Sequence, residues 1–341
     1  MYKINHNFKK SYVGLARGFF SLPIISIFSR LSEKERILDK NFFLKRSLCK
    51  IFDKNALEVI LNYLESINLI KKLTKEKYII TPFGKYVFNR HGAMNIIYSY
   101  KDIVDNLEKI ILGKQKTVKC NRIENVYGSG KSHKRKFFDN ALSIIKKNEI
   151  TKIIDLGLGN GDFIRNILEK KPNLKFVGVD LSKNVINQLK KDLGNSKNMI
   201  VGDIFKIKQW SKKLKKNKLN KDDKLLINFM FTLHEHNFND DNKVKNFLND
   251  IRSTFPNATI LITEVFEIQP KNFSKVVDIS ILPEFILFHK FSKQKLFFYK
   301  QFKKIIKTSN YFISSEITYS KMMIGNFTSP SYATIFLKPK K

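Results

Sequence analysis

The run Ile153-Ile154-Asp155-Leu156-Gly157-Leu158-Gly159-Asn160-Gly161-Asp162 places an acid and three glycines at alternate positions behind two apolar residues. Glycine has no Cβ, so the backbone can turn sharply there and bring its amides close to a ligand at the carboxyl end of a buried strand. A dinucleotide fingerprint requires a further glycine at position 162, where this chain has Asp162. A carboxylate at the start of the following helix, Phe163–Glu169, repels a pyrophosphate but tolerates the cationic sulfonium and amino groups of S-adenosylmethionine. Two more acids follow at strand ends. The strand Phe176–Asp180 closes on an acid, with Leu181 beside it, about 20 residues beyond the glycine turn, where a carboxylate accepts hydrogen bonds from ribose hydroxyls. The run Val201-Gly202-Asp203-Ile204-Phe205 offers Asp203 to an adenine amino group and Ile204 to the face of the ring. Asp155, Gly157, Gly159, Gly161, Asp180, Leu181, Asp203 and Ile204 therefore read as one cofactor site.

A second cluster lies in Asn228-Phe229-Met230-Phe231-Thr232-Leu233-His234-Glu235-His236-Asn237-Phe238. In a parallel sheet the carboxyl ends of the strands face the ligand crevice, so a histidine just past the fourth strand reaches the reacting atoms. Histidine titrates near neutrality and can take a proton from a nucleophile, with Glu235 or Glu264 orienting the ring or stabilising its charged form. Most single histidines are structural. Position selects His234, and it does so for none of His6, His91, His133 and His236.

The acid and alternating glycines match the first motif of the class I methyltransferases, which the chain resembles. That resemblance implies S-adenosylmethionine as cofactor, with Asp155 and the glycines at its methionine part, Asp180 on the ribose and Asp203 near the adenine. The stretch after the fourth strand is similar to the winged-helix small-molecule O-methyltransferases, in which a His followed by an acid supplies the general base. Here that implies catalytic roles for His234 and Glu235. Where that family has a small-residue loop before the last helix, this chain has Pro283-Glu284-Phe285-Ile286-Leu287-Phe288-His289. A histidine there resembles the methyltransferases of 2-oxo acids, such as the phenylpyruvate and 2-ketoarginine enzymes. In the phenylpyruvate enzyme two histidines bind iron, which would make His234 and His289 metal ligands and His289 a substrate contact. The histidine pair inclines the expectation toward carbon of a 2-oxo acid as methyl acceptor. The alternative is an oxygen acceptor with His234 as base.

These residues need a scaffold, and from Ile150 onward strand and helix patterns alternate as in a parallel sheet covered on both faces. Expected strands are Lys152–Leu156, Leu174–Val179, Met199–Val201, Lys224–Phe231 and Ala258–Val265, then a helix Lys293–Thr308 and an antiparallel hairpin Tyr311–Tyr319 with Tyr332–Leu337. The expected fold is α/β, a seven-stranded Rossmann-like methyltransferase sheet ending in that hairpin, preceded by a mainly α winged-helix domain. Residues 1–110 form the amino-terminal dimerisation domain, 111–145 linking helices and 146–341 the cofactor-binding domain. In the first, Asn55 is placed to cap a helix running to Ile67, the wing spans Lys71–Thr81, and Thr81-Pro82-Phe83-Gly84 reads as a turn.

A formal charge of +34 suggests a polyanion partner. The lysines, however, are spread along the whole chain, and the second winged-helix helix carries Glu58, Asn62, Glu65 and Ser66 with no basic residue, which disfavours groove reading. A nucleic-acid methyltransferase would carry a Pro-Pro-aromatic or Cys motif where Phe231-Thr232-Leu233-His234 stands. The expected partners are therefore a small molecule and a second copy of the chain. Cys49 and Cys120 form no disulfide framework or metal spacing, so a cytoplasmic setting is the expectation. The apolar stretch Tyr12–Phe28, interrupted by Arg17 and Pro23, is shorter than the about 20 residues of a membrane span and reads as a packed or dimer-forming helix.

Overall fold

The computed structural model describes residues 6–33, 36–38, 40–115, 118–133, 136–193, 199–214, 224–235, 240–275, 281–324 and 327–341. The chain divides into two compact units. One contains Met1–Lys101 and Asn121–Ser132, the other Asp102–Cys120 and His133–Lys341.

In the first unit the strands β1 (Phe42–Leu44), β2 (Ile70–Lys72) and β3 (Lys77–Ile80) form an antiparallel sheet in the order β1-β3-β2, whose β2–β3 hairpin is the wing. Leu57, Leu61 and Leu64 repeat at helical spacing along Lys54–Ser66 and are fully buried. That helix is capped by Asp53, not Asn55: the Asp53 carboxylate accepts from the backbone of Asn55 and Ala56 at 3.0 and 2.9 Å. Likewise Thr81-Pro82-Phe83-Gly84 opens a helix, Pro82–Phe88, because Thr81 Oγ1 accepts from Gly84 N at 2.9 Å and proline suits the first helical position. The amino-terminal helix runs His6–Glu33, longer than the apolar stretch read from the sequence, and its portion Val13–Glu33 meets the requirements of a membrane span by length and composition only. Its carboxyl half is packed: Phe28 lies 5.7 Å from the Phe52 ring and 6.0 Å from Phe88, and Ser26, Ser29 and Ser32 are buried. Its amino half exposes Leu15, Phe19 and Phe20.

The second unit is built on β4 (Lys152–Leu156), β5 (Lys175–Asp180), β6 (Met199–Val201), β7 (Leu225–Met230), β8 (Thr259–Glu267), β9 (Phe297–Phe298), β10 (Tyr311–Ile324) and β11 (Phe327–Pro339). The sheet order is β10-β11-β8-β7-β4-β5-β6, seven strands, with β9 adding a short parallel pairing to β8. The pairs β4–β5, β5–β6, β4–β7 and β7–β8 are parallel, while β11 runs antiparallel to β8 and β10. Neighbouring residues of a strand point to opposite faces, and both faces are apolar. Ile154, Ile227, Ile260 and Ile335 join one buried cluster, Ile153, Leu226, Leu261 and Phe336 the other. Two elements differ from expectation. The final helix begins at Tyr299, since Lys293 adopts φ +57° in a turn and Phe297–Phe298 is a strand. The terminal hairpin is longer than its apolar runs because β10 and β11 pair as far as Ile324 and Phe327.

Candidate active site

The strand β4, buried throughout, delivers the chain into the glycine loop. Gly157, Gly159 and Gly161 have φ of +86°, +55° and +78°, left-handed conformations that side chains rarely adopt. At Gly157 space is a second constraint, because a Cβ would lie 2.6 Å from Thr232 Cγ2. Main-chain bonds fix the loop to β5: Gly157 N donates to Val179 O at 2.8 Å and Gly159 N to Asp180 Oδ2 at 3.2 Å. The other carboxylate oxygen of Asp180 accepts from Ser182 N at 2.8 Å, and Gly202 N donates to the Asp180 carbonyl at 2.9 Å. The ends of β4, β5 and β6 are thereby tied together around Asp180, with Leu181 exposed beside it. Asp203 accepts from Phe205 N at 3.0 Å, holding the turn after β6, and Ile204 is buried with its carbonyl bonded to Trp210 Nε1 at 3.1 Å. Asp155 is buried and accepts from Asn228 Nδ2 at 2.7 Å. Burial, aided by the charge of Asp180 and opposed by the Asn228 bond, pushes its carboxyl up to about 7.

Where β7 ends, Phe231 takes φ +53°, costly for a bulky residue, while its N–H donates to Thr263 O at 2.8 Å. That reversal starts a single turn of 3-10 helix, Leu233–Glu235. Glu264 on β8 holds the first two residues of the turn: Oε1 accepts from Leu233 N at 2.7 Å and Oε2 pairs with His234 Nδ1 at 2.7 Å. His234 and Glu264 are both buried. With a carboxylate on Nδ1, that nitrogen is the donor of the pair, and Nε2 lies across the ring from it. His289, on the helix Leu282–Phe291, brings its ring to 5.2 Å from that of His234 and places Nδ1 2.8 Å from Phe285 O. Burial, with the His234 charge adding to it and the Phe285 carbonyl opposing, pushes His289 down to about 3, so it is neutral at working pH. Residues 55 positions apart in sequence thus meet in one crevice.

Residues 115–305 match the O-methyltransferase domain family, and residues 21–114 match the AprA winged helix domain. The chain belongs to the O-methyltransferase family. It is an S-adenosylmethionine-dependent methyltransferase with an amino-terminal winged helix. Solved structures agree on the fold. Human N-acetylserotonin methyltransferase in complex with SAM is 12% identical, covers 100% of each chain and superposes with a TM-score of 0.65. A putative O-methyltransferase from Nostoc punctiforme, 12% identical, covers 96% of this chain and 99% of its own at 0.61. The Streptomyces davawensis dimethyltransferase RosA, 13% identical, covers 99% and 100% at 0.54. No curated protein matches the chain in sequence.

In this methyltransferase the sequence-named cofactor residues lie at the ends of β4, β5 and β6, and His234 and His289 lie together. The side chain of Glu235 and the whole of His236 fall outside the described part, and Glu264 is the acid bonded to His234. His91 belongs to the other unit, where its Nδ1 bonds to Phe88 O at 2.6 Å. Asn228, Thr232 and Phe231 were not expected at the site. A signal existed for the first: Asn228 is a polar residue inside the apolar strand Leu225–Met230, as Glu264 is inside β8, and buried polar groups in a sheet must have partners. Among the described residues no group of three or more His, Cys, Asp and Glu is placed to hold a metal ion.

Proposed function

We propose that the methyltransferase methylates an oxygen of a small acceptor, with His234 Nε2 taking the acceptor's proton. The observation that supports this most directly is the buried His234–Glu264 pair at 2.7 Å. S-adenosylmethionine, when bound, supplies the methyl group on a sulfonium that is already a good leaving group, so the chain has mainly to orient and deprotonate the nucleophile. Glu264 fixes the ring, selects its tautomer and stabilises the imidazolium that proton transfer creates. Asp180 is assigned to the ribose hydroxyls with Leu181 alongside, Asp203 and Ile204 to the adenine, and Asp155 with the three glycines to the methionine part. The exposed apolar residues Leu15, Phe19 and Phe20 are assigned to a second copy of the chain.

A second reading has a specific observation behind it. The Nδ1 atoms of His234 and His289 are engaged by a carboxylate and a backbone carbonyl, the outer contacts that orient metal-binding imidazoles. Imidazole is a donor type that a transition metal, iron included, accepts, and a 2-oxo acid would fill its remaining positions. His234 and His289 would hold it, and it would acidify the C–H beside the ketone. Turnover of S-adenosylmethionine over a panel of phenols and 2-oxo acids, with ferrous iron or with chelator, separates the two. Phenol methylation in chelator supports the oxygen reading. Iron-dependent turnover confined to 2-oxo acids would replace it with the carbon reading.

A further inference from the structure

A cavity of about 480 Å³ opens on His289, and its wall also includes Glu267, Lys290, Lys293, Lys295 and Gln301. That volume accommodates a one- or two-ring acceptor. Its charge is unbalanced, since the lining contains three lysines and one carboxylate, Glu267. Glu267 is already matched by Lys290 at 2.7 Å. Lys295 reaches only 3.5 Å from Asp241, whose two oxygens each accept from Gln301 Nε2 at 2.8 Å. Among the described residues Lys293 has no ion-pair partner. His289 in the wall is almost fully buried and neutral, so it neither repels a cation nor pairs with an anion by charge. The cavity is also linked to the reaction centre: Lys295 N donates to the His234 carbonyl at 3.2 Å, and the His289 ring faces that of His234.

We propose that this cavity receives a carboxylate carried by the methyl acceptor, held by the ammonium groups of Lys293 and Lys295, while the acceptor's reacting atom points past His289 toward His234. The proposal rests on the methyl-transfer reading of His234 and deepens it by naming the acceptor as a small organic acid. It also differs from the metal reading, in which the acid group would be bound by the metal and not by lysine. A charge-assisted bond from the half-buried Lys295, with the exposed Lys293 adding to it, amounts to about tenfold in affinity.

The test is isothermal titration of the full chain saturated with S-adenosylhomocysteine, using 4-hydroxybenzoate and 1-hydroxy-2-naphthoate, each beside its carboxamide. The acids are expected to bind at least about tenfold tighter than the amides, and the gap to narrow in 0.5 M salt. In the double variant Lys293→Gln/Lys295→Gln the gap should close to about twofold while affinity for S-adenosylhomocysteine is unchanged. Equal binding of acids and amides, binding of neither, or a gap that survives in the double variant overturns the proposal. Acid preference intact in a protein that methylates none of these hydroxy acids would remove the base assignment of His234 and leave this one standing.

Discussion

The glycine loop and the His234 turn leave adjacent parallel strands, β4 and β7, yet they are held in unlike ways. The loop is fixed by main-chain conformation: three left-handed glycines within five residues, with amides bonded to Val179 and Asp180. The turn is fixed from outside, by a carboxylate on β8 that lies 30 residues further along the chain. A site for a common cofactor can be built into backbone, because its ligand never changes. The reaction centre proposed at His234 draws on side chains of separate strands and helices, an arrangement that would let acceptor chemistry vary without disturbing the cofactor. Removing groups from the turn should therefore affect turnover alone, and altering the loop should affect cofactor binding.

The largest expected effect tests that separation. His234→Ala should lower kcat by about 10³-fold or more, within the range set by general base catalysis, with S-adenosylmethionine affinity within about twofold of wild type. Glu264→Gln should lower kcat less, by about 10²-fold, because the base remains while its orientation and charge support are weakened. Steady-state kinetics beside titration calorimetry reads both quantities. Weakened cofactor binding in His234→Ala would show that the two regions are not independent.

Next in size is the loop. Gly157→Ala places a Cβ 2.6 Å from Thr232 Cγ2 at a residue with φ +86°. Strain of this kind costs about 2 kcal/mol, and cofactor affinity should fall by about tenfold or more as the loop shifts. Combining it with Thr232→Ala removes the steric conflict but not the backbone strain, so stability in urea should recover only in part. Full recovery would mean that space alone, and not conformation, demands glycine there.

The same contrast governs what could be read from the chain beforehand. The loop was legible because left-handed backbone demands glycine locally, and its acids stand at strand ends whose apolar runs are unmistakable. That β4 to β8 are parallel is legible in the alternation of apolar strand and helix segments, whereas their order in the sheet is not. His234 was legible by position and His289 by its place before the last helix, but the acid bonded to His234 remained open between Glu235 and Glu264. Only the pairing of β7 with β8 brings Glu264 beneath the turn, and pairing is a long-range property. Phe231 gave no warning, since nothing in an aromatic residue announces φ +53°. The short strand β9 is not legible, because Lys293–Phe298 lacks a period long enough to separate strand from helix. The lysine-lined cavity was hidden for a different reason: in a chain of +34 charge, three more lysines carry no signal until they share a wall.

The last effect, spread over a pH range where the others act at one pH, concerns Asp155, where the two regions touch through its bond to Asn228 on β7. Its carboxyl is raised to about 7 by burial, above the about 4 of an unfolded chain. Between those values the folded protein holds a proton that the unfolded chain has lost. Stability of the cofactor-free protein should therefore fall as pH rises from about 4 to about 7, by at most about 1.4 kcal/mol per unit, and this contribution should be flat outside the window. Asp155→Asn, neutral at every pH, should lose that slope in urea unfolding measured at pH 5, 6 and 7. Cofactor binding has the opposite sign, because a cation beside Asp155 favours the ionised carboxylate and expels the proton. Affinity for S-adenosylmethionine should rise with pH up to about 7, more steeply than for S-adenosylhomocysteine, which lacks the sulfonium charge. Equal slopes for the two ligands would move the sulfonium away from Asp155 and leave that carboxyl as an internal brace between β4 and β7.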